Sequence, residues 1–299
     1  MKKLIGVLVL ITGVLAVSSY VMFGGHKNKA PKHNQDYLLK IETSKGDMYA
    51  VLYEETPKHR ANFIKLIKGQ YYDELLFHRV IPGFMIQGGD PESKDAAKNQ
   101  NLGNGGPGYT IPAEIGRYHF KGTLAAARIG GPSNPQKASS GSQFYISQGK
   151  NQDSLTISRM AVQKKRAAMN PIFSDYIKNP ENADFSALFR ELQQSGDQGR
   201  LDSLYGTIEP DLEKEYNLKG GVSYSTEDIK RYVEVGGVPQ LDGDYTVFGE
   251  VVQGLEIIDL IAEVKRNRVD RPNKNIAMKI TYEILSKKEI TKRTGYQYK

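Results

Sequence analysis

Phe77-His78-Arg79-Val80-Ile81-Pro82-Gly83-Phe84-Met85-Ile86-Gln87-Gly88-Gly89-Asp90 is the stretch around which this chain is read. Two short apolar runs, Phe77–Val80 and Phe84–Gln87, are broken by Pro82-Gly83 and predict two short strands. Alternate side chains of a strand face the same way. Arg79 with Phe84, Met85 and Gln87 then places a permanently charged fork of donors beside an apolar pocket. By composition alone the plainer reading, a surface arginine next to core aromatics, stands ahead, and both stay open at this point.

Outward from this stretch the chain reads as antiparallel β. Tyr37–Glu42 and Met48–Tyr53 flank Thr43-Ser44-Lys45-Gly46-Asp47 and predict a hairpin. Thr56-Pro57 starts a helix, with Thr56 as cap, Ala61, Phe63, Ile64 and Ile67 as its buried face, and Gly69 at its end. Gly122–Ile129, Gln143–Ser147 and Thr246–Val252 are further strands. Gly254 opens a second helix with Leu255, Ile258, Ile261 and Ala262 on one face, and Ile276–Leu285 alternates and closes the domain. Many short strands with only two helices predict a mainly β closed barrel or sandwich, and closure removes exposed edges.

Between Lys150 and Val235 the strand signal stops. Phe185, Leu188, Phe189 and Leu192 fall at helical spacing, and Thr156–Met169, with Lys164-Lys165-Arg166, is another helical candidate. Ser225-Thr226-Glu227-Asp228 resembles a capping box ahead of Ile229, Tyr232 and Val233. The expected organisation is a discontinuous barrel at 37–149 and 236–285, a helical insertion at 150–235, and a basic C-terminal tail at 286–299.

Hydrophobic residues at 39% and charged ones at 25% of 299 exclude a wholly disordered chain and a polytopic membrane protein. The absence of cysteine excludes disulfides, thiolate zinc sites, iron–sulfur clusters and a cysteine nucleophile. The net charge of +7 is concentrated at the ends: Lys2, Lys3, Lys27, Lys29 and Lys32 precede the first acid, Asp36, and Lys287, Lys288, Lys292, Arg293 and Lys299 face only Glu289. A nucleic-acid reader carries its basic face within the fold, interleaved with aromatics, so no nucleic-acid partner is expected. Met1-Lys2-Lys3 is followed by the uncharged run Leu4–Phe23, long enough to cross the roughly 30 Å hydrocarbon core of a membrane. Ala16-Val17-Ser18 also offers small residues at signal-peptidase spacing. Residues 1–25 are therefore expected to be a signal peptide or membrane anchor, followed by a polar linker at 26–36. Membrane contact, if the segment is uncleaved, is expected only through residues 4–23.

The Phe77–Asp90 run resembles the hallmark of the cyclophilin family of peptidyl-prolyl isomerases, F-H-R-I/V-I-x-x-F-M-x-Q-G-G-D, at every position. Collinear matches follow at Gly103–Glu114, Gly122–Ala127, Gly141–Ile146 and Leu241–Gly249, so the resemblance spans Tyr37 to Leu285 apart from the insertion. It implies an eight-stranded antiparallel cyclophilin-like barrel capped by two helices, acting on X-Pro bonds. In the family's pattern Arg79 is the catalytic residue. Phe84, Met85, Tyr145 and Leu241 line the proline pocket, and Gln87 and Gln143 hold the peptide backbone or orient Arg79. Ala127 and the backbone of Arg128 lie along the groove for residues before proline, and Phe144 points into the core. No metal and no cofactor are implied.

Three positions depart from that pattern. Gln240 stands where the family often has tryptophan, which weighs against tight cyclosporin binding. Tyr245 replaces the usual histidine and keeps an aromatic wall and a hydroxyl. Arg128 replaces a common asparagine, and its charge would favour acidic residues upstream of proline. Gly103-x-Gly105-x-x-Gly108 fits a dinucleotide pattern, but it follows no strand, and Pro107 and Pro112 oppose a following helix. His26, His33, His59, His78 and His119 show no ligand spacing, and His78 reads as a packed strand residue. The expectation is a monomeric, exported, periplasmic isomerase acting on proline-containing polypeptide clients. The alternative is a non-catalytic proline-peptide-binding scaffold of the same fold. The insertion falls beside the groove, where it either recognises clients, covers the groove or is an inert elaboration.

Overall fold

A computed structural model describes residues 30–215 and 222–298. The apolar segment at 4–23 and the first four residues of the basic linker, 26–29, lie outside the described residues. In chain order the elements are β1 Gln35–Thr43, β2 Gly46–Leu52, α1 Pro57–Lys68, β3 Leu75–Leu76, β4 Arg79–Ile81, β5 Met85–Gly88, β6 Thr110–Ile111, β7 Thr123–Ala126, β8 Ser139–Ser140 and β9 Phe144–Ser147. Four helices follow, α2 Ser154–Lys178, α3 Ala183–Ser195, α4 Gln198–Glu215 and α5 Thr226–Glu234. The chain then returns through β10 Val247–Gln253, α6 Leu255–Ala262, β11 Ala277–Ser286 and α7 Lys287–Thr294.

The main sheet runs β3-β11-β1-β2-β10-β7-β9-β5-β4, and each pairing is antiparallel. Its two outer strands, β3 and β4, are separated in the chain only by Phe77 and His78. The sheet therefore curls into a half-barrel that brings its ends together. It has nine strands where eight were expected, because the run before Pro82 splits. The Phe77 amide bonds the Ile276 carbonyl at 2.9 Å and continues the β3–β11 pairing, whereas the Val80 amide turns to the Asp270 carbonyl at 2.9 Å. A separate pair, β6 with β8, sits on the loop side.

Alternation explains the core. Leu39 and Ile41 of β1, Met48 and Ala50 of β2, and Phe144 and Ile146 of β9 face inward. Both expected capping helices close over them, α1 with Phe63, Ile64 and Ile67, and α6 with Ile257, Ile258 and Ile261. Thr56 does not cap α1. Its hydroxyl lies 3.4 Å from the Tyr53 carbonyl and makes no cap hydrogen bond. The capping acceptor comes instead from Glu114, whose carboxylate accepts from the Lys58 and His59 amides at 3.0 Å each and lies 2.7 Å from His59 Nδ1. Burial alone would raise the Glu114 pKa, but these donors hold it below the usual range. Glu114→Ala is expected to lower the unfolding free energy by about 1–2 kcal/mol, readable in a denaturant titration.

The basic C-terminal tail is another difference. Residues 287–294 form α7, capped by the Ser286 hydroxyl on the Glu289 amide, and Ile290 is fully buried against Leu38 and Val51 on the outer face of β1 and β2. The lysine and arginine count hid one buried isoleucine. In the insertion, all the helical segments read from sequence form. The capping box at Ser225 and Asp228 is present. The insertion has two apolar clusters: Met169, Phe173 and Leu212 unite α2 and α4, with Phe185 and Phe189 of α3 packed on them, whereas Ile157 and Tyr232 pack on the barrel residue Phe120. Among the described residues no helix is long and apolar enough to cross a membrane.

Candidate active site

Two neighbouring rows of side chains cross the sheet. Val80, Ile86, Ile146 and Leu124 stand opposite one another on β4, β5, β9 and β7, and none is exposed. One step along each strand, Arg79, Gln87, Tyr145 and Ala125 form the next row, continued on β10 by Val247. The period of two sends the first row into the core and the second to the outer face. The arginine and the pocket thus share a face because the strands are in register, and a one-residue slip would bury Arg79.

Arg79 is exposed, and its guanidinium donates to Gln87 Oε1 at 3.3 Å. Gln87 Nε2 donates to Gln143 Oε1 at 3.0 Å. Gln143, 5% exposed, donates in turn to the carbonyls of Gly103 and Gly105 at 2.9 and 2.7 Å. The fully buried carboxylate of Asp90 holds that loop by accepting from the Gly103 and Gly105 amides. A Cβ at Gly105 would collide with Asp90 Oδ1, so the loop closes this tightly only with glycine there. The Gly-rich loop that mimics a dinucleotide motif is thereby an acceptor platform for Gln143. Gly89 has φ +87°, and a Cβ there would strike the Ser142 carbonyl, which accounts for the second glycine of the motif.

Beside this relay lies an apolar cluster of Tyr53, Met85, Ala125, Tyr145 and Val247, with Phe84, Ala127, Leu241 and Tyr245 partly exposed around it. Phe84, Met85, Tyr145 and Leu241, read as the proline pocket, are brought together, whereas Phe144 faces the core. Burial raises the Tyr145 hydroxyl pKa well above its ordinary value, so it remains a phenol. The backbone of Ala127 is engaged within the protein, its amide donating to Gln143 at 3.0 Å and its carbonyl accepting from Ser140 at 2.7 Å. The Arg128 guanidinium folds back over the Tyr245 ring, 4.4 Å from its centroid, and its Nε donates to the Asp244 carbonyl at 2.8 Å. Its charge therefore sits on the pocket wall.

Sequence reading missed His119 and Asp242. The His119 ring is stacked on Tyr145 and carries Nε2 2.9 Å from the Tyr145 hydroxyl and Nδ1 2.7 Å from Asp242 Oδ1. A carboxylate only accepts, so Nδ1 carries the proton and Nε2 accepts from Tyr145, an assignment made from the partners. No local spacing joins residues 119, 145 and 242, so only the fold reveals the triad.

His78 is packed as expected, but it sits in the two-residue join between β3 and β4 rather than within a strand, and burial drives its pKa from 6.5 to about 4. Below about pH 6.5 the unfolded ring binds a proton that the folded ring refuses. Stability is therefore full above that pH and declines as pH falls toward the folded pKa, by about 3 kcal/mol for this residue. His59, held low chiefly by burial, adds slope of the same sign. His78→Gln is expected to remove most of the loss between pH 6.5 and 4, measured by urea unfolding at each pH.

A curled antiparallel sheet with two capping helices, its Phe77–Asp90 motif placing Arg79 and Gln87 on the outer face, defines the cyclophilin class of fold. The profile of the family described as cyclophilin type peptidyl-prolyl cis-trans isomerase/CLD matches residues 38–162 and 219–283, with its break inside the helical insertion. A Synechococcus elongatus peptidyl-prolyl cis-trans isomerase is 44% identical over 108 residues, 36% of this chain and 65% of that protein. A Streptococcus pyogenes protein bearing the name bifunctional phosphatase/peptidyl-prolyl cis-trans isomerase is 30% identical over 246 residues, 79% of this chain and 36% of that protein. The chain thus spans little more than a third of the latter and just under two thirds of the former. A Staphylococcus epidermidis protein named as a peptidyl-prolyl cis-trans isomerase is 28% identical over 244 residues, 81% of this chain and 89% of that one. This chain belongs to the cyclophilin-type peptidyl-prolyl cis-trans isomerase family.

Proposed function

We propose that this chain catalyses rotation about X-Pro bonds of exported polypeptides, with Arg79 as the catalytic residue. The observation that carries the reading is a guanidinium tethered by the Gln87–Gln143 relay at the rim of the pocket built by Phe84, Met85, Tyr145 and Leu241. The planar X-Pro amide is held by delocalisation of the nitrogen lone pair, with a barrier of about 18–20 kcal/mol. At the twisted transition state that lone pair returns to nitrogen and accepts a hydrogen bond. A donor at that point stabilises the transition state over both ground states, and that difference is what accelerates a reaction. The proline ring would sit on Met85 and Tyr145, with Ala127 and Arg128 along the residues before it. Removing water there strengthens the guanidinium interaction.

The measurement is exchange of a short X-Pro peptide, which uncatalysed takes about 10–100 s at 25 °C. Turnover by the intact protein supports the reading. Binding of the peptide without acceleration would make the barrel a scaffold. Export rests on Met1-Lys2-Lys3 and the apolar run Leu4–Phe23. On that reading the proposed location is beyond the cytoplasmic membrane, in a periplasm, either soluble after cleavage or anchored, and the proposed state is a monomer. Cell fractionation with sequencing of the mature N-terminus checks it, and a cytoplasmic protein beginning at Met1 would contradict it.

A further inference from the structure

The buried carboxylate of Asp242 collects four donors from two parts of the chain. Oδ1 accepts from the His119 amide and from His119 Nδ1–H, both at 2.7 Å. Oδ2 accepts from two phenols of the insertion, Tyr224 at 2.6 Å and Tyr232 at 2.5 Å. Burial, reinforced by the carboxylate, raises both phenol pKa values far above the ordinary one, so both stay protonated and donate. On the other side, His119 Nε2 accepts from Tyr145. Tyr145 is thus joined to the insertion by an unbroken chain of hydrogen bonds whose inner members, His119 and Asp242, are 0% exposed. A second strut runs parallel: Lys164 of α2 donates to the Asp242 carbonyl at 2.6 Å and pairs with Asp244 at 3.1 Å, next to Tyr245.

We propose that Tyr224 and Tyr232 are positioning residues for the proline pocket, acting through Asp242 and His119 to hold the Tyr145 hydroxyl turned away from substrate. This rests on the isomerase reading of the site. Four donors saturate the carboxylate's acceptor sites and fix the proton of His119 on Nδ1. Nε2 is then left as acceptor, and the Tyr145 hydroxyl is engaged with it, so the ring meets the proline as an apolar surface. With two donors removed, Asp242 has two acceptor sites empty and is free to turn. Its contact with His119 Nδ1–H is then no longer fixed, the imidazole shifts with it, and the hydroxyl of Tyr145 is released into the pocket.

The test compares the intact protein with Tyr224→Phe/Tyr232→Phe, which removes both hydroxyls and keeps the rings that pack on Phe120 and on each other. Nitrogen-15 shifts of the His119 imidazole report the tautomer directly, without reference to turnover. The intact protein is expected to show a proton on Nδ1 with Nε2 as the acceptor, and the double variant a changed ring. For an X-Pro tetrapeptide the double variant is expected to raise KM about tenfold, the cost of an unpaired hydroxyl against the proline ring, with kcat within about twofold. Tyr224→Phe alone gives a smaller shift of the same kind and guards against misfolding of the double variant. Phe189→Ala, in the distal core of the insertion, is expected to leave the imidazole and KM unchanged. An unaltered imidazole in the double variant, or an equal KM rise in Phe189→Ala, would overturn the proposal. An intact protein without turnover but with the expected imidazole change would sink the isomerase reading and leave the relay standing.

Discussion

Arg79→Ala is expected to lower kcat/KM for an X-Pro peptide by about 10²–10³, the effect of removing one donor from a site where charge redistributes in the transition state. The loss falls mainly in kcat, because the hydrogen bond to the prolyl nitrogen exists only when that nitrogen is pyramidal. Stability is expected to change by less than about 0.5 kcal/mol, since the side chain is exposed. Its hydrogen bond to Gln87 is long, at 3.3 Å. A peptide exchange assay beside a thermal melt separates the two effects. A variant with unchanged turnover would remove Arg79 from the chemistry.

Asp242→Ala carries the largest expected effect on stability. It strips the acceptor from His119 Nδ1–H, the His119 amide and the Tyr224 and Tyr232 hydroxyls at once. Donors left buried without an acceptor cost about 1–3 kcal/mol each, and some will recover water, so a loss of about 3–5 kcal/mol is expected. For a chain of this size that corresponds to a fall in unfolding midpoint on the order of 10 °C. The same change unties the insertion from the barrel, so protease susceptibility between residues 150 and 235 should rise with it. A melt within a degree or two of the parent would mean that the carboxylate is not the anchor its contacts describe.

The outer-face row of Arg79, Gln87 and Tyr145 was largely legible in the linear motif, for a physical reason. Strand periodicity and the Pro82-Gly83 turn are local, and a register set by a tight turn carries the alternation across the β4–β5 hairpin. Three of the four helices of the insertion were legible too, because amphipathic spacing and a capping box are contained within one or two turns, whereas α4 was not read. Glu114 as the cap of α1 was not, because its partners lie more than fifty residues away and Thr56 offers the more local candidate. The docking of α7 was equally hidden, since the basic residues around Ile290 outweigh one apolar side chain in any reading by composition.

Sequence by itself determined the class of fold, the family and the apolar side chains that gather in one cluster on the outer face, because each depends on residue order within short segments. Tertiary structure alone decided the split of β3 from β4 and the role of the Gly103–Gly105 loop as an acceptor for Gln143. It also decided the joining of the insertion to Tyr145 through Asp242 and His119. Those outcomes depend on which buried donors meet which buried acceptors. A polar group taken out of water must find a partner wherever the fold supplies one, and sequence distance places no limit on where that is.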